Sequence, residues 1–197
     1  MRLFLALEVP EAIRESLSRF IDDLKGMPGM GQSRGGRIRW ARADGMHLTL
    51  RFLGETDRAL AGSIMTHLNV TTAGKFSRMT LGVEGVGRFP QRGRPRVLWA
   101  GVVENEDREK AGRLEHLQAV VEEACSEGGF PREERPFRPH ITLARLGEGR
   151  PPAGLDQVLS DAGSKEFGRF KAESLTLFQS ILSPQGAEYR SMETVAL

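Results

Sequence analysis

The 197-residue sequence predicts an α+β fold of two pseudo-symmetric lobes, mainly antiparallel sheet, with helices outside and a central cleft. Two observations carry this expectation. Strand and helix patterns mix along the chain without the strict alternation of a doubly wound sheet. A nine-residue segment also recurs: His47-Leu48-Thr49-Leu50-Arg51-Phe52-Leu53-Gly54-Glu55 returns 93 residues later as His140-Ile141-Thr142-Leu143-Ala144-Arg145-Leu146-Gly147-Glu148, with six of nine positions identical. The simplest reading is a duplication, each half giving one copy of the same strand to a shared centre. No composition break divides the chain, so residues 1–197 read as a single domain made of two lobes.

Residues 2–8 alternate Leu3, Leu5 and Leu7 against Phe4 and Ala6. A strand apolar on both faces belongs in the middle of its sheet. Pro10 suits a first helical turn, and Ile13, Leu17, Phe20, Ile21 and Leu24 recur at helical spacing, so residues 10–25 form an amphipathic helix. Residues 26–37 hold glycine without periodicity and read as a mobile loop. Strands are expected at 38–40 and 46–53. Thr56 and Asp57 open a second helix whose core face carries Leu60, Ile64 and Leu68. Strands at 76–86 and 96–103 flank a basic hairpin loop, Arg88 to Pro95. A third helix spans about 107–127, with Leu114, Leu117, Val121, Ala124 and Cys125 on one face. Strands at 139–146, 171–179 and 187–195 complete the reading.

Hydrophobic residues make up 39% and charged residues 27%, which places the chain among soluble globular proteins. No run is long and apolar enough to span a membrane, and Glu8 interrupts the apolar start too early for a signal-peptide core. The single cysteine, Cys125, excludes an internal disulfide framework and a thiolate zinc site. A cytoplasmic location is therefore expected. Net charge is only +2, but 23 of the 28 basic residues are arginine. Arginine grips phosphate in a planar fork; genome base composition explains the same bias without function.

In a strand, residues i and i+2 share a face. His47 and Thr49 therefore face one way, Leu48 and Leu50 the other, and His140 and Thr142 oppose Ile141 and Leu143 likewise. Two such polar pairs facing each other line a cleft. Histidine titrates near neutrality, so one ring can be neutral while the other is charged, giving a general base and a general acid in one site. Threonine hydroxyls can donate to non-bridging phosphate oxygens. The set suits metal-free phosphoryl chemistry. A nearby arginine would offset the charge that develops in the transition state; strict alternation puts Arg51 on the His47 face, as a substrate-binding candidate, and turns Arg145 away from His140, unless a bulge or strand end re-aims it. A structural duplication with idle histidines is the alternative.

At these residues the sequence resembles the 2H phosphoesterase superfamily, and within it the bacterial and archaeal RNA 2′,3′-cyclic phosphodiesterases, historically called 2′-5′ RNA ligases. The resemblance extends to Arg2-Leu3-Phe4-Leu5-Ala6-Leu7, Ile38-Arg39-Trp40, Pro95 through Gly101, and Arg135 through Arg145. It implies a bilobal fold and hydrolysis of RNA 2′,3′-cyclic phosphate ends to 2′-phosphates without metal or cofactor. It implies His47 as proton donor, His140 as proton acceptor, Thr49 and Thr142 as phosphate contacts, and Arg145 as a further contact. Reversal would give 2′-5′ ligation. Expected partners are RNA with a cyclic phosphate end and no membrane; a monomer without an obligatory protein partner is expected. The alternatives are a phosphodiesterase for a small cyclic nucleotide or ADP-ribose cyclic phosphate, or a binding module without turnover.

Phe137 and Trp99 are either base-stacking rings or core. Arg88, Arg92, Arg94 and Arg96, with Arg34 and Arg37, are either an RNA-tracking rim or solvated loops. His67 reads as packing or a satisfied polar contact on the second helix, and His116 as solvated. No His-Glu-x-x-His, P-loop or Gly-x-Gly-x-x-Gly pattern occurs.

Overall fold

The computed structural model describes residues 1–30, 38–76, 79–104, 112–183 and 186–197. Among them, nine strands form two antiparallel sheets. The first runs in spatial order β3 (His47–Glu55), β1 (Arg2–Glu8), β8 (Ser174–Ser183), β9 (Gly186–Ala196). The second runs β2 (Ile38–Trp40), β6 (His140–Leu146), β5 (Val97–Glu104), β4 (Met79–Phe89), β7 (Glu166–Ala172). The central place of β1 follows from its two apolar faces. Leu3, Leu5 and Leu7 enter the main core, while Phe4 and Ala6 are buried on the opposite face.

Four helices cover the backs of the sheets. α1 (Glu11–Gly26) lies on β7 and α4 (Leu155–Asp161) on β4 of the second sheet. α2 (Arg58–Thr72) lies on β9, α3 (Arg113–Glu127) on β3, and the two helices pack together. α1 buries Ile13, Leu17, Phe20, Ile21 and Leu24, the stripe its periodicity predicts. Asp57 caps α2 by accepting from the Ala59 and Leu60 amides, which satisfies two otherwise orphaned donors. One continuous apolar cluster joins residues from both sheets and all four helices.

The structure departs from the sequence expectation in several places. The core face of α2 is Ala61, Ile64, Met65 and Leu68, and Leu60 sits at the exposed rim. The strand expected at 171–179 is two strands, because the chain leaves the second sheet after Ala172 and enters the first at Ser174. The apolar phase slips there, from Phe170 and Ala172 to Leu175 and Leu177, but such a slip also fits a bulge within one strand, so periodicity does not by itself separate two strands from one. α4 was not expected: with only Leu155 and Val158 buried, it is too short to show a period. β4 starts at Met79 and runs to Phe89, absorbing Arg88 from the expected hairpin loop. α3 starts at Arg113, and part of the segment assigned to its beginning lies outside the described residues. Of the 26–37 loop, residues 31–37 also lie outside them. Just before that gap, Met30 is fully buried.

The lobes are not the sequence halves. The first sheet takes β1 and β3 from the first half and β8 and β9 from the end of the chain, while β2 crosses to the second sheet. The motif strands still divide one per sheet, β3 and β6, and they meet at the centre.

Candidate active site

Each motif strand carries a β-bulge at the same place in the repeat. Along β1, Leu5 pairs with Arg51 and Ala6 with Thr49, so Leu50 is the extra residue. Along β5, Leu98 pairs with Ala144 and Trp99 with Thr142, so Leu143 is the extra residue. The bulge places two consecutive side chains on the helix-covered face: Leu50 with Arg51, and Leu143 with Ala144, all buried. Alternation then resumes with its phase reversed. Phe52 and Arg145 are thereby returned to the histidine face, and both are exposed.

This corrects the placement of Arg51. Its side chain is 9% exposed and points away from the cleft. Nε lies 2.9 Å from a Glu122 carboxylate oxygen on α3, an ionic contact without hydrogen-bond alignment. Nη2 donates to the Pro131 carbonyl. Arg51 is thus a strut behind the motif strand and has no path to substrate. The bulge gives Arg145 the opposite fate. Its charge reaches both imidazoles.

The two histidines sit in matching surroundings. His140 Nδ1 lies 2.7 Å from the Arg138 carbonyl. A carbonyl only accepts, so Nδ1 carries the proton and Nε2 presents its lone pair to the cleft. For His47 the backbone of Gly45, also two residues upstream, favours the protonated ring in the same sense. Aromatic rings surround each imidazole. Phe4 lies 4.6 Å from His47 between centroids, and Tyr189 meets it edge-on at 5.0 Å. Phe89 meets His140 edge-on at 5.0 Å, with Trp99 at 6.3 Å.

Burial among these rings pushes His47 down to about 4. The Gly45 bond opposes the shift, and Arg145 and His140 add to it through repulsion of the imidazolium. His140 is lowered by burial and by Arg145, against its Arg138 bond. Without an anion in the cleft, both rings are held neutral near pH 7. Thr49 stands opposite Ala6 and Thr142 opposite Trp99, half-buried, and neither hydroxyl has a hydrogen-bond partner among the described residues. A cavity of about 420 Å³ opens beside His47, lined by Glu8, Arg14, Lys171, Phe178 and Tyr189.

The two candidate stacking rings have other surroundings. Trp99 packs on Phe89, and its indole lies across Gly87, where a Cβ would come within 2.2 Å of the ring. It forms the floor under His140 rather than an open platform. Phe137 packs on the main core. The exposed ring of the cleft face is Phe52, 57% exposed and 5.9 Å from Phe4. Sequence reasoning missed it. The signal was present: superposing the two copies of the repeat equates Phe52 with Arg145.

Outside the cleft, His67 is paired at 3.5 Å with Glu127 across α2 and α3, and His116 lies against Phe76. Burial raises the Cys125 thiol to about 12, leaving it unreactive. Arg88 and Arg94 donate to the Gly93 and Gly147 carbonyls, each at 2.8 Å. Arg34 and Arg37 lie outside the described residues. Among the described residues, no group of three His, Cys, Asp or Glu side chains is placed to hold a metal ion, and no helix is long and apolar enough to cross a membrane.

Two sheets that each bring a His-x-Thr strand to one cleft define a phosphoesterase architecture. The model of the LigT-like phosphoesterase family matches residues 7–99 and 106–189, one stretch for each copy of the motif, and the chain belongs to that family. A protein of Archaeoglobus fulgidus named RNA 2′,3′-cyclic phosphodiesterase is 32% identical over 192 residues, 98% of either chain. The crystal structure of the Thermus thermophilus protein TT0787 superposes with a TM-score of 0.76 at 27% identity, covering 100% of this chain and 98% of that one. E. coli LigT complexed with 3′-AMP gives a TM-score of 0.70 at 26% identity, covering 100% of this chain and 97% of the other.

Proposed function

We propose that the protein hydrolyses the 2′,3′-cyclic phosphate end of RNA to a 2′-phosphate by paired-histidine acid–base catalysis. The observation that carries this reading is the pair of imidazoles, one from each motif strand and each set among aromatic rings, with Arg145 within charge reach of both. The names of the relatives at about 30% identity support the substrate.

The phosphate sits between β3 and β6, its non-bridging oxygens accepting from the Thr49 and Thr142 hydroxyls and from Arg145. His140 Nε2 takes a proton from water as the water oxygen bonds to phosphorus. The bond from phosphorus to the 3′ oxygen breaks, and His47 delivers a proton to that oxygen. One water is consumed, and the products are a 2′-phosphate and a 3′-hydroxyl. The donor must be charged, which burial opposes. The anionic phosphate between the rings offsets that penalty, so the reactive protonation state forms with substrate bound. Arg145 balances charge that grows in the transition state. Phe52 offers an open face to the terminal base. The reverse reaction, with a 5′-hydroxyl in place of water, gives a 2′-5′ linkage.

The test is a short RNA with a 2′,3′-cyclic phosphate end, incubated in excess chelator and followed by phosphorus NMR. Conversion to the 2′-phosphate, lost in His47→Ala and His140→Ala, is the expected result. A 3′-phosphate product would reverse the assigned orientation. Unchanged RNA would defeat the reading.

A further inference from the structure

Arg39 lies directly opposite Arg145 in the antiparallel pairing of β2 with β6. Residues opposite one another in such a pair project to the same face, so Arg39 stands on the cleft face of the second sheet. Its neighbours Ile38 and Trp40 pack on the core and fix that orientation. Arg39 and Arg145 are both exposed, and neither has a carboxylate or hydrogen-bond partner among the described residues. Like charges directly opposite in a sheet are unfavourable; an anion between them reverses the sign. Two residues beyond Arg145, the Arg94 guanidinium is tied to the Gly147 carbonyl, extending the positive edge.

The two arginines are not equivalent. Arg145 depresses both imidazoles by its charge, whereas Arg39 contributes to neither shift. Arg39 is therefore a strand further from the reacting phosphorus, where a second phosphate of the substrate would lie. A mononucleoside cyclic phosphate has no second phosphate; an RNA end has one on the 5′ side of its last nucleotide.

We propose that Arg39, beside Arg145, binds that internucleotide phosphate and makes the enzyme select RNA ends over mononucleotides. The inference rests on the reading of the cleft given above. The guanidinium fork matches two phosphate oxygens at once.

Wild type and Arg39→Gln are compared on a nucleoside 2′,3′-cyclic phosphate and on a trinucleotide with the same terminal nucleoside and cyclic end. The expected result is a loss of about tenfold in kcat/KM on the trinucleotide, through KM, with the mononucleotide unchanged. The slope of log affinity against log salt falls by about 0.7 for the trinucleotide. Equal losses on both substrates, or none on either, overturn the inference. If wild type turns over neither substrate, the cyclic-phosphate reading fails separately. Calorimetric binding of a trinucleotide 2′-phosphate and a nucleoside 2′-phosphate then decides the matter. Weakening of the trinucleotide alone by Arg39→Gln supports the subsite, and unchanged binding overturns it.

Discussion

Arg51 Nε lies 2.9 Å from Glu122 on α3, immediately behind the strand that carries His47 and Thr49. The same guanidinium donates to Pro131, on the segment that leads to His140. One side chain thus ties the first motif strand to the approach of the second.

Arg51→Met leaves the Glu122 carboxylate buried without its cation. The pair is 9% and 12% exposed, so the loss falls near the lower end for a broken buried pair, about 3 kcal/mol. At this chain length that is a fall in Tm of roughly 6–12 °C. Arg51→Met with Glu122→Leu removes both charges and recovers most of it. Thermal melts of the single and double variants measure this. A single variant as stable as wild type would show that the strut carries no energy.

The pH profile follows from the two depressed imidazoles. In the proposed mechanism the active free enzyme holds one proton between them. With His47 near 4 and His140 below 6.5, the maximum of kcat/KM falls between about pH 4 and 6.5 and declines above it. Arg145→Gln removes a repulsive charge and moves both limbs to higher pH. Because folded values lie below unfolded ones, stability is full above 6.5 and falls as pH drops towards 4. A wild-type kcat/KM maximum above about pH 7 would contradict this electrostatic picture.

Gly87→Ala puts a methyl group 2.2 Å from the Trp99 ring. The indole has to leave its place beside His140. Overpacking of this kind costs about 1–3 kcal/mol, and indole fluorescence shifts as Trp99 changes surroundings. A variant with wild-type emission and melting temperature would mean that the strand moves instead of the ring.

Phe52→Ala removes the open ring of the cleft. Base–aromatic stacking is worth roughly 1–3 kcal/mol, so KM rises about tenfold or more while kcat changes little. Phe52→Tyr keeps the face and the affinity. Equal KM values for Phe52→Ala and wild type on an RNA end would exclude stacking there.

The motif histidines and threonines were legible because a repeat of polar residues at spacing two has few structural explanations. β1 and α1 were legible from apolar periodicity alone. The bulges were not. A bulge is one extra residue, and Leu50 and Leu143 continue the alternation of Leu48 and Ile141 unbroken, so alternation gave Arg51 the wrong face and Arg145 the wrong direction. The resemblance corrected Arg145 but left Arg51 in the cleft. The sheet switch at Glu173 and the crossing of β2 escaped for a related reason. Pattern fixes which face of a strand is buried, not which sheet the strand joins.

In the first sheet β1 has β3 on one side and β8 on the other, and β8 and β9 follow β3 only after β4 to β7 of the second sheet. During synthesis β1 and β3 leave the ribosome before the strands β4 to β7, and one edge of β1 stays unpaired until β8 follows them. His47 is built on a sheet that is completed only after the strands of the second sheet have been made. A nascent chain halted before β8 therefore presents an apolar strand edge, the kind of surface that recruits chaperones, and the sheet that carries His47 closes only when β8 pairs with β1.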